Sequence, residues 1–200
     1  MGKKLDAQVI TIYGRRGTGK TTRIRELIEK RNRVLVLSTR AEFPNQVAWP
    51  DLGATISAKQ FQAAYTPKKG AVLEAGHRIG LALLENKGPL LTLVIDEAQN
   101  FMPQKGYPAD LQGLVSLVQE GRHANVEIIA ATQRPATVST DLRGNAEIVY
   151  CFGLSWANDI ELMASMFGRE YKARIQSLED HEFLRHERGD LTTGRNAAKF

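Results

Sequence analysis

Cysteine is nearly missing from this chain: Cys151 is the single example in 200 residues. Internal disulfides and any zinc site built on several thiolates are therefore excluded, and a reducing compartment such as a cytoplasm is the expectation. Long apolar runs are missing too. No stretch approaches the roughly 18 consecutive apolar residues of a membrane span. The lysines of the opening MGKKLD precede no apolar segment, so a secretory signal is not expected. Asp6 stands where a myristoylation signal needs Ser or Thr. Internal repeats and low-complexity segments are absent, which argues against solenoids and linker-joined domains. The four histidines (His77, His123, His181 and His186) show no metal-ligand spacing with carboxylates or with Cys151. They read as surface or packing residues.

What is present suits a folded core. The chain is 42% hydrophobic and 24% charged, outside the disordered class, and its length fits one domain over residues 1–200. A net charge of +5 invites a nucleic-acid reading. The charge is unevenly spread, however. Residues 1–40 hold 11 basic and 3 acidic side chains, whereas the other 160 residues hold 16 and 19. The basicity is local, and it asks for a local anion.

Short apolar runs alternate with helical stretches. Val9 to Tyr13, Val34 to Leu37, Leu90 to Ile95, Val126 to Ala131 and Ile148 to Phe152 read as strands. Helices are expected from Thr21 to Arg31, from Ala58 (capped by Ser57) to about Tyr65, and, with Asp110 as N-cap, on to Glu120. Another should run from about Asn158 to Phe167 and stop at Gly168. Ala71 to Leu73 is expected as a short strand ahead of a helix that ends near Asn86-Lys87-Gly88-Pro89. The stretch from about Glu182 to Thr193, around Arg188-Gly189-Asp190, has the pattern of a β-hairpin. Strands that are apolar throughout and separated by helices imply an α/β fold with a mainly parallel sheet covered on both faces.

Between the first strand and the first helix stands Gly14-Arg15-Arg16-Gly17-Thr18-Gly19-Lys20-Thr21, which matches G-x-x-x-x-G-K-[ST] in the strand–helix context that the motif requires. Glycines let several N–H groups converge on a phosphate, and the helix N-terminus adds its positive dipole end. Lys20 then places a charge on the β- and γ-phosphates, Thr21 ligates Mg²⁺, and Thr22 follows in the same turn. The most apolar strand ends on Asp96-Glu97, where ligands of open α/β sheets bind. Asp96 suits the acidic residue that holds Mg²⁺, and Glu97 suits a base that orients an attacking water. The next strand ends on Thr132-Gln133-Arg134-Pro135. The Gln133 amide both donates and accepts, as contact with a γ-phosphate or with the water would require.

In that order GRRGTGKT, LVIDEAQNF and IIAATQRP resemble the HerA/FtsK group of P-loop ATPases, over about residues 8 to 160. The resemblance implies a single RecA-like domain, with the Gln-bearing strand between the phosphate-loop strand and the Asp-Glu strand. Its motor core would span about residues 8–168, followed by a C-terminal helix and hairpin over about 169–200. It further implies ATP and Mg²⁺ bound by Lys20, Thr21 and Asp96, with Glu97 as base and Gln133 as γ-phosphate sensor. A ring-shaped homohexamer would complete each site with an arginine from the neighbouring subunit, for which Arg122 is the best match and Arg143 the competitor. Larger cellular members add domains for which 200 residues leave no room. The resemblance therefore points to the genome-packaging ATPases of tailless, membrane-containing viruses. It implies non-specific contact with DNA phosphates, capsid or portal proteins as partners, and a place at a packaging vertex or in the host cytoplasm. A cellular or plasmid DNA translocase is the alternative within the class. A small-molecule kinase would need an arginine-rich lid, and a GTP switch would need an Asn-Lys-x-Asp segment that Asn86-Lys87-Gly88-Pro89 does not supply.

For DNA the candidate contacts are the Met102 to Tyr107 loop, with Lys105, and Lys68-Lys69. Trp49 and Trp156 read as core or interface packing, and Cys151 as buried and inert. Arg15, Arg16, Lys20, Arg23 and Arg25 lie in or just beyond the phosphate loop. Much of the local basicity is therefore expected to surround a triphosphate or to face the next subunit.

Overall fold

A computed structural model of the protein describes residues 7–197. The opening MGKKLD, with its Asp6, and the last three residues lie outside the described residues. Strands β1 (Val9–Tyr13), β2 (Arg33–Leu37), β3 (Phe61–Tyr65), β4 (Leu91–Ile95), β5 (Val126–Thr132), β6 (Ile148–Phe152), β7 (Glu182–Glu187) and β8 (Asp190–Arg195) form one sheet. Its order is β3-β2-β4-β5-β1-β6-β7-β8. The first six strands are parallel, and β7 and β8 close the far side as an antiparallel hairpin. As the family resemblance implies, β5 lies between β1 and β4.

Helices α1 (Lys20–Ile28), α2 (Leu52–Ser57), α3 (Val72–Leu84), α4 (Gly113–Glu120), α5 (Thr140–Gly144), α6 (Ala157–Phe167) and α7 (Lys172–Ser177) join these strands. Every residue of β1, β2, β4, β5 and β6 is buried, because both faces of the sheet are covered. Alternate residues divide between the layers. Ile10, Ile12, Val36, Val94, Ile129 and Phe152 pack with Ile24 of α1 on one face. On the other, α3 and α4 cover β2, β4 and β5, and α6 with α7 covers β1, β6 and β7. Helices α3 and α4 cross so closely that a Cβ on Gly80 would fall inside the backbone of Gly113. There His77 Nδ1 accepts the Gly113 amide at 3.0 Å.

Two expected elements are different in the structure. Phe61–Tyr65 is a strand rather than the second half of a helix, and the helix here precedes it, at Leu52–Ser57. Its alanines favour helix locally, but in-register pairing with β2 from Arg33↔Phe61 to Leu37↔Tyr65 prevails. The expected strand at Ala71 to Leu73 is instead the opening of α3, which carries apolar residues on one helical stripe: Ala75, Ile79 and Leu83. Helix α1 also stops at Ile28, short of Arg31, and α4 begins at Gly113 with Gln112, not Asp110, before it.

A buried ion pair fixes the far end of α1. Arg31 donates from Nε and Nη2 to Glu127 at 2.8 and 2.7 Å, and Thr92 Oγ1 donates to the same carboxylate at 2.8 Å. The Glu127 side chain is 1% exposed. Arg31→Ala would leave that carboxylate buried and unpaired, a loss that typically costs about 3–5 kcal/mol. Urea unfolding of the variant should show a shift of that order. A change below about 1 kcal/mol would mean the pair does not pin the helix.

Candidate active site

The ends of β1, β4 and β5 meet at the carboxyl edge of the sheet, and the loop after β1 curls between them. Gly14 N donates to Thr132 O at 3.3 Å and Arg15 N to Gly153 O at 2.9 Å, which ties the loop to β5 and to the end of β6. Its glycines at 17 and 19 have φ of +83° and +101°, open to glycine at little cost. A loop whose N–H groups converge on an anion turns its carbonyls outward, and those need donors. Lys20 Nζ donates to Gly14 O and Arg15 O at 2.7 and 3.0 Å, and Thr18 Oγ1 donates to Arg15 O at 2.9 Å.

Two more carbonyls are held from the other end of the chain. His181 N donates to Thr18 O at 2.9 Å, and Asn196 Nδ2 donates to Gly19 O at 2.8 Å. Asn196 N in turn donates to His181 O at 2.9 Å. A side chain on Gly19 would meet Asn196 Nδ2 at 2.6 Å and His181 Nδ1 at 2.8 Å. The hairpin thus clasps the loop. Nothing in the sequence marks His181 or Asn196, which lie more than 160 positions from the loop.

Asp96 and Glu97 follow β4. Asp96 N continues the ladder to Leu37 O at 2.8 Å, and Ser38 Oγ, at the tip of β2, lies 3.4 Å from Asp96 Oδ2. Glu97 is held at φ +55°, a conformation that costs a non-glycine residue about 1–3 kcal/mol and persists where the surroundings enforce it. The surroundings are two amides. Gln133 Nε2 donates to Glu97 Oε1 at 2.5 Å and Gln99 Nε2 to Oε2 at 3.0 Å. Thr132 Oγ1 completes the chain with a bond to Gln99 Oε1 at 2.5 Å. Glu97 and Gln133, chosen separately from sequence, are therefore direct partners; Gln99 was not foreseen.

Charge is concentrated here. Burial pulls the Lys20 ammonium below its ordinary value, against the opposing pull of Glu97 and Asp96. Burial also pushes the Asp96 carboxyl up, and the neighbouring Glu97 adds to this while Lys20 opposes it. The arrangement is short of positive charge in its own right, and a bound cation would relieve it. The donor set fits Mg²⁺: the exposed Thr21 and the Asp96 carboxylate offer hard oxygens and leave most positions to phosphate and water.

The other expected residues are more widely spread. Arg15 and Arg16 stay at the loop, half-buried and exposed, and Thr22 lies half-buried in the first turn of α1. Arg23, by contrast, is bound to Tyr150 and Glu26, and Arg31 to Glu127. Arg33 caps carbonyls of Ile56, Ala58 and Pro89, and Arg25 faces a groove beside Phe43. The N-terminal basicity thus divides between the phosphate loop and internal ties, rather than gathering at the loop. Arg122 is exposed on the 3-10 turn Gly121–Ala124 that leads into β5. It stands at the opposite end of that strand from Gln133. Arg143 is half-buried on α5, with its Nε enclosed and unpartnered among the described residues. Trp49 packs against Tyr65 at 5.4 Å, whereas Trp156 is 62% exposed. Cys151 is buried, and burial raises its thiol far above the ordinary value.

A phosphate-binding loop between β1 and α1 of a parallel sheet, facing an Asp-Glu pair, defines a P-loop nucleotide-binding protein. The family model described as an AAA domain matches residues 4–136, and the chain belongs to that family. No curated protein matches it. Among solved structures, the fold is similar to the genome packaging NTPase B204 from Sulfolobus turreted icosahedral virus 2 in complex with AMPPCP. That likeness has a TM-score of 0.79 at 14% identity and covers 96% of this chain and 98% of that one. VirB4 of Thermoanaerobacter pseudethanolicus is similar with a TM-score of 0.71 at 10% identity, covering 100% and 92%. EssC (ATPases 2 and 3) from Geobacillus thermodenitrificans has a TM-score of 0.61 at 12% identity, covering 93% and 39%. The P-loop ATPase type suggested by the three motifs agrees with this set.

Asn196→Ala removes a buried donor from Gly19 O. Because the Arg23 amide still donates to Gly19 O, the expected result is a stability loss of about 0.5–1.5 kcal/mol in urea, with weaker binding of a fluorescent adenine nucleotide. Unchanged nucleotide affinity would separate the hairpin from the shape of the loop.

Proposed function

We propose that the protein is an ATP-hydrolysing motor that moves DNA, and that it packages a viral genome. The observation that carries hydrolysis is the Gln133–Glu97 bond across the tips of β5 and β4, beside the loop that carries Lys20. A carboxylate fixed by two amides is suited to orient and polarise a water rather than to hold an acceptor substrate. Gln133 spends one amide hydrogen on Glu97 and keeps another hydrogen and its carbonyl oxygen for the γ-phosphate or the water. On this reading Thr21 and Asp96 hold the metal, which neutralises charge on the phosphates when bound. Gly14 through Thr22 seat the nucleotide.

The ring reading assigns Arg122 to a neighbouring site. It stands at the far end of β5 from its own Gln133, a strand of 7 residues that spans roughly 23 Å at 3.3 Å per residue. It therefore does not reach its own site, and on this reading it serves a neighbouring subunit's. Arg143, turned into its own core, is the weaker candidate. Exposed Lys68-Lys69 and Lys105 lie on loops that follow β3 and β4. They share the carboxyl edge of the sheet with the phosphate loop, where nucleotide-driven movement could reach bound DNA phosphates. The packaging role draws on the likeness to B204, which extends over nearly the whole of both chains.

Turnover of ATP should be measurable and should rise with DNA. Lys20→Ala should abolish it. Glu97→Gln should retain ATP and slow hydrolysis by about 10²–10⁴, and Arg122→Ala by about 10³ or more, with Arg143→Ala closer to wild type. If no ATP is hydrolysed with DNA present, over protein concentrations that permit assembly, the motor reading fails.

A further inference from the structure

Beyond Glu97 and Gln133 the site opens into a cleft of about 330 Å³. Its walls include Arg15, Arg40 and Arg134 together with Glu97, Gln133 and Trp156. Arg15, Arg40 and Arg134 thus share with one carboxylate, Glu97, a space that adjoins the candidate position of the attacking water. None of the loop chemistry described above uses Arg40, Arg134 or Trp156.

Arg134 is held as a presented donor. Its Nε donates to Asp159 Oδ2 at 2.8 Å, and the other oxygen of Asp159 accepts the Ala136 amide at 2.8 Å. The Asp159 side chain is wholly buried on α6, whereas that of Arg134 is 37% exposed. The Arg134 guanidinium also lies 4.5 Å from the centre of the Trp156 ring. One edge is thus fixed and one face stacked, and the two terminal nitrogens have no partner among the described residues. A guanidinium oriented in this way is preorganised for two parallel hydrogen bonds to an oxyanion. Its companions are loosely paired. Arg15 reaches Asp180 at 3.4 Å and Arg40 reaches Glu42 at 3.5 Å, both at exposed positions where such pairs exchange freely with solvent.

We propose that this cleft is an inorganic phosphate subsite on the exit route from the catalytic centre. The inference rests on the hydrolytic reading: ATP and water give ADP, phosphate and a proton, and no bond forms or breaks in the subsite itself. The product leaves the neighbourhood of Lys20, passes to the Arg134 fork with Arg15 and Arg40 beside it, and escapes past Trp156. A DNA backbone phosphate has the same recognition chemistry, but the shared wall of Glu97 and Gln133 favours the product.

The test is a calorimetric titration of inorganic phosphate into protein saturated with ADP and Mg²⁺, so that the phosphate loop is already filled. In a Trp49→Phe background Trp156 is the remaining indole, and its fluorescence should change saturably with phosphate. Arg134→Gln should weaken phosphate at least about tenfold, the scale of a lost charged hydrogen-bond pair, with ADP affinity within about twofold of wild type. Because that change also leaves Asp159 unpaired, the exposed Arg40→Gln serves as the second variant. It should weaken phosphate by about threefold, a modest loss for one loosely held charge, with the fold intact. The proposal is overturned if both variants bind phosphate as wild type does, if ADP affinity falls in proportion, or if Trp156 responds only to an oligonucleotide. None of these readings needs turnover, so loss of the hydrolytic reading and loss of the subsite are separable.

Discussion

The phosphate loop can exist only if its carbonyls are satisfied while its amides are left free. A buried peptide C=O without a donor costs as much as a lost hydrogen bond. The loop therefore depends on what stands behind it. Lys20 serves two carbonyls in the structure, while the His181 amide and the Asn196 side chain serve two more. Once the outer side is complete, the inner side presents the N–H groups and helix end that an anion needs. On the proposed reading, an arriving triphosphate would compete for Lys20 and leave the His181 and Asn196 contacts in place. The same logic explains Gly19, whose missing side chain is the space that His181 and Asn196 occupy.

Around that loop the parallel sheet does the positioning. Strands β1, β4 and β5 end together, so Gly14 and Thr132, more than a hundred positions apart, arrive within hydrogen-bonding reach, as do Glu97 and Gln133. Helix α1 is held at both ends, by the hairpin at Gly19 and by Arg31 on Glu127 at the other. Buried ion pairs of this kind contribute little net stability, but they are costly to break. That makes Arg31–Glu127 a device for fixing where the helix lies.

Much of this was legible in the sequence, and for identifiable reasons. The strands buried on both faces are rich in Val, Ile and Leu, so β1, β2, β4, β5 and β6 read as apolar segments despite Arg33, Thr92 and Glu127 within them. Asp96, Glu97 and Gln133 stand at the ends of such runs, and Lys20 closes the glycine-rich motif that follows one, which made them visible. Phe61–Tyr65 was not visible as a strand because an edge strand with one half-covered face carries a mixed pattern, and its alanines speak for helix. His181, Asn196 and Asp159 were invisible for another reason. Their roles come from tertiary contact with backbone groups or with one arginine, and no local pattern encodes that. The N-terminal basic excess was likewise ambiguous in one dimension. Only the fold separates Arg15 and Arg16, at the loop, from Arg23, Arg31 and Arg33, which tie the structure together.

The clasp has a bearing on how the protein is made. During synthesis the phosphate loop precedes the partners of Thr18 and Gly19, His181 and Asn196, by more than 160 residues. Contacts so distant in sequence form late, after the loop-closure entropy between them has been met. A nascent chain that has completed β1 and α1 holds the whole motif but not its geometry. The phosphate loop is therefore written well before the residues that complete its outer side.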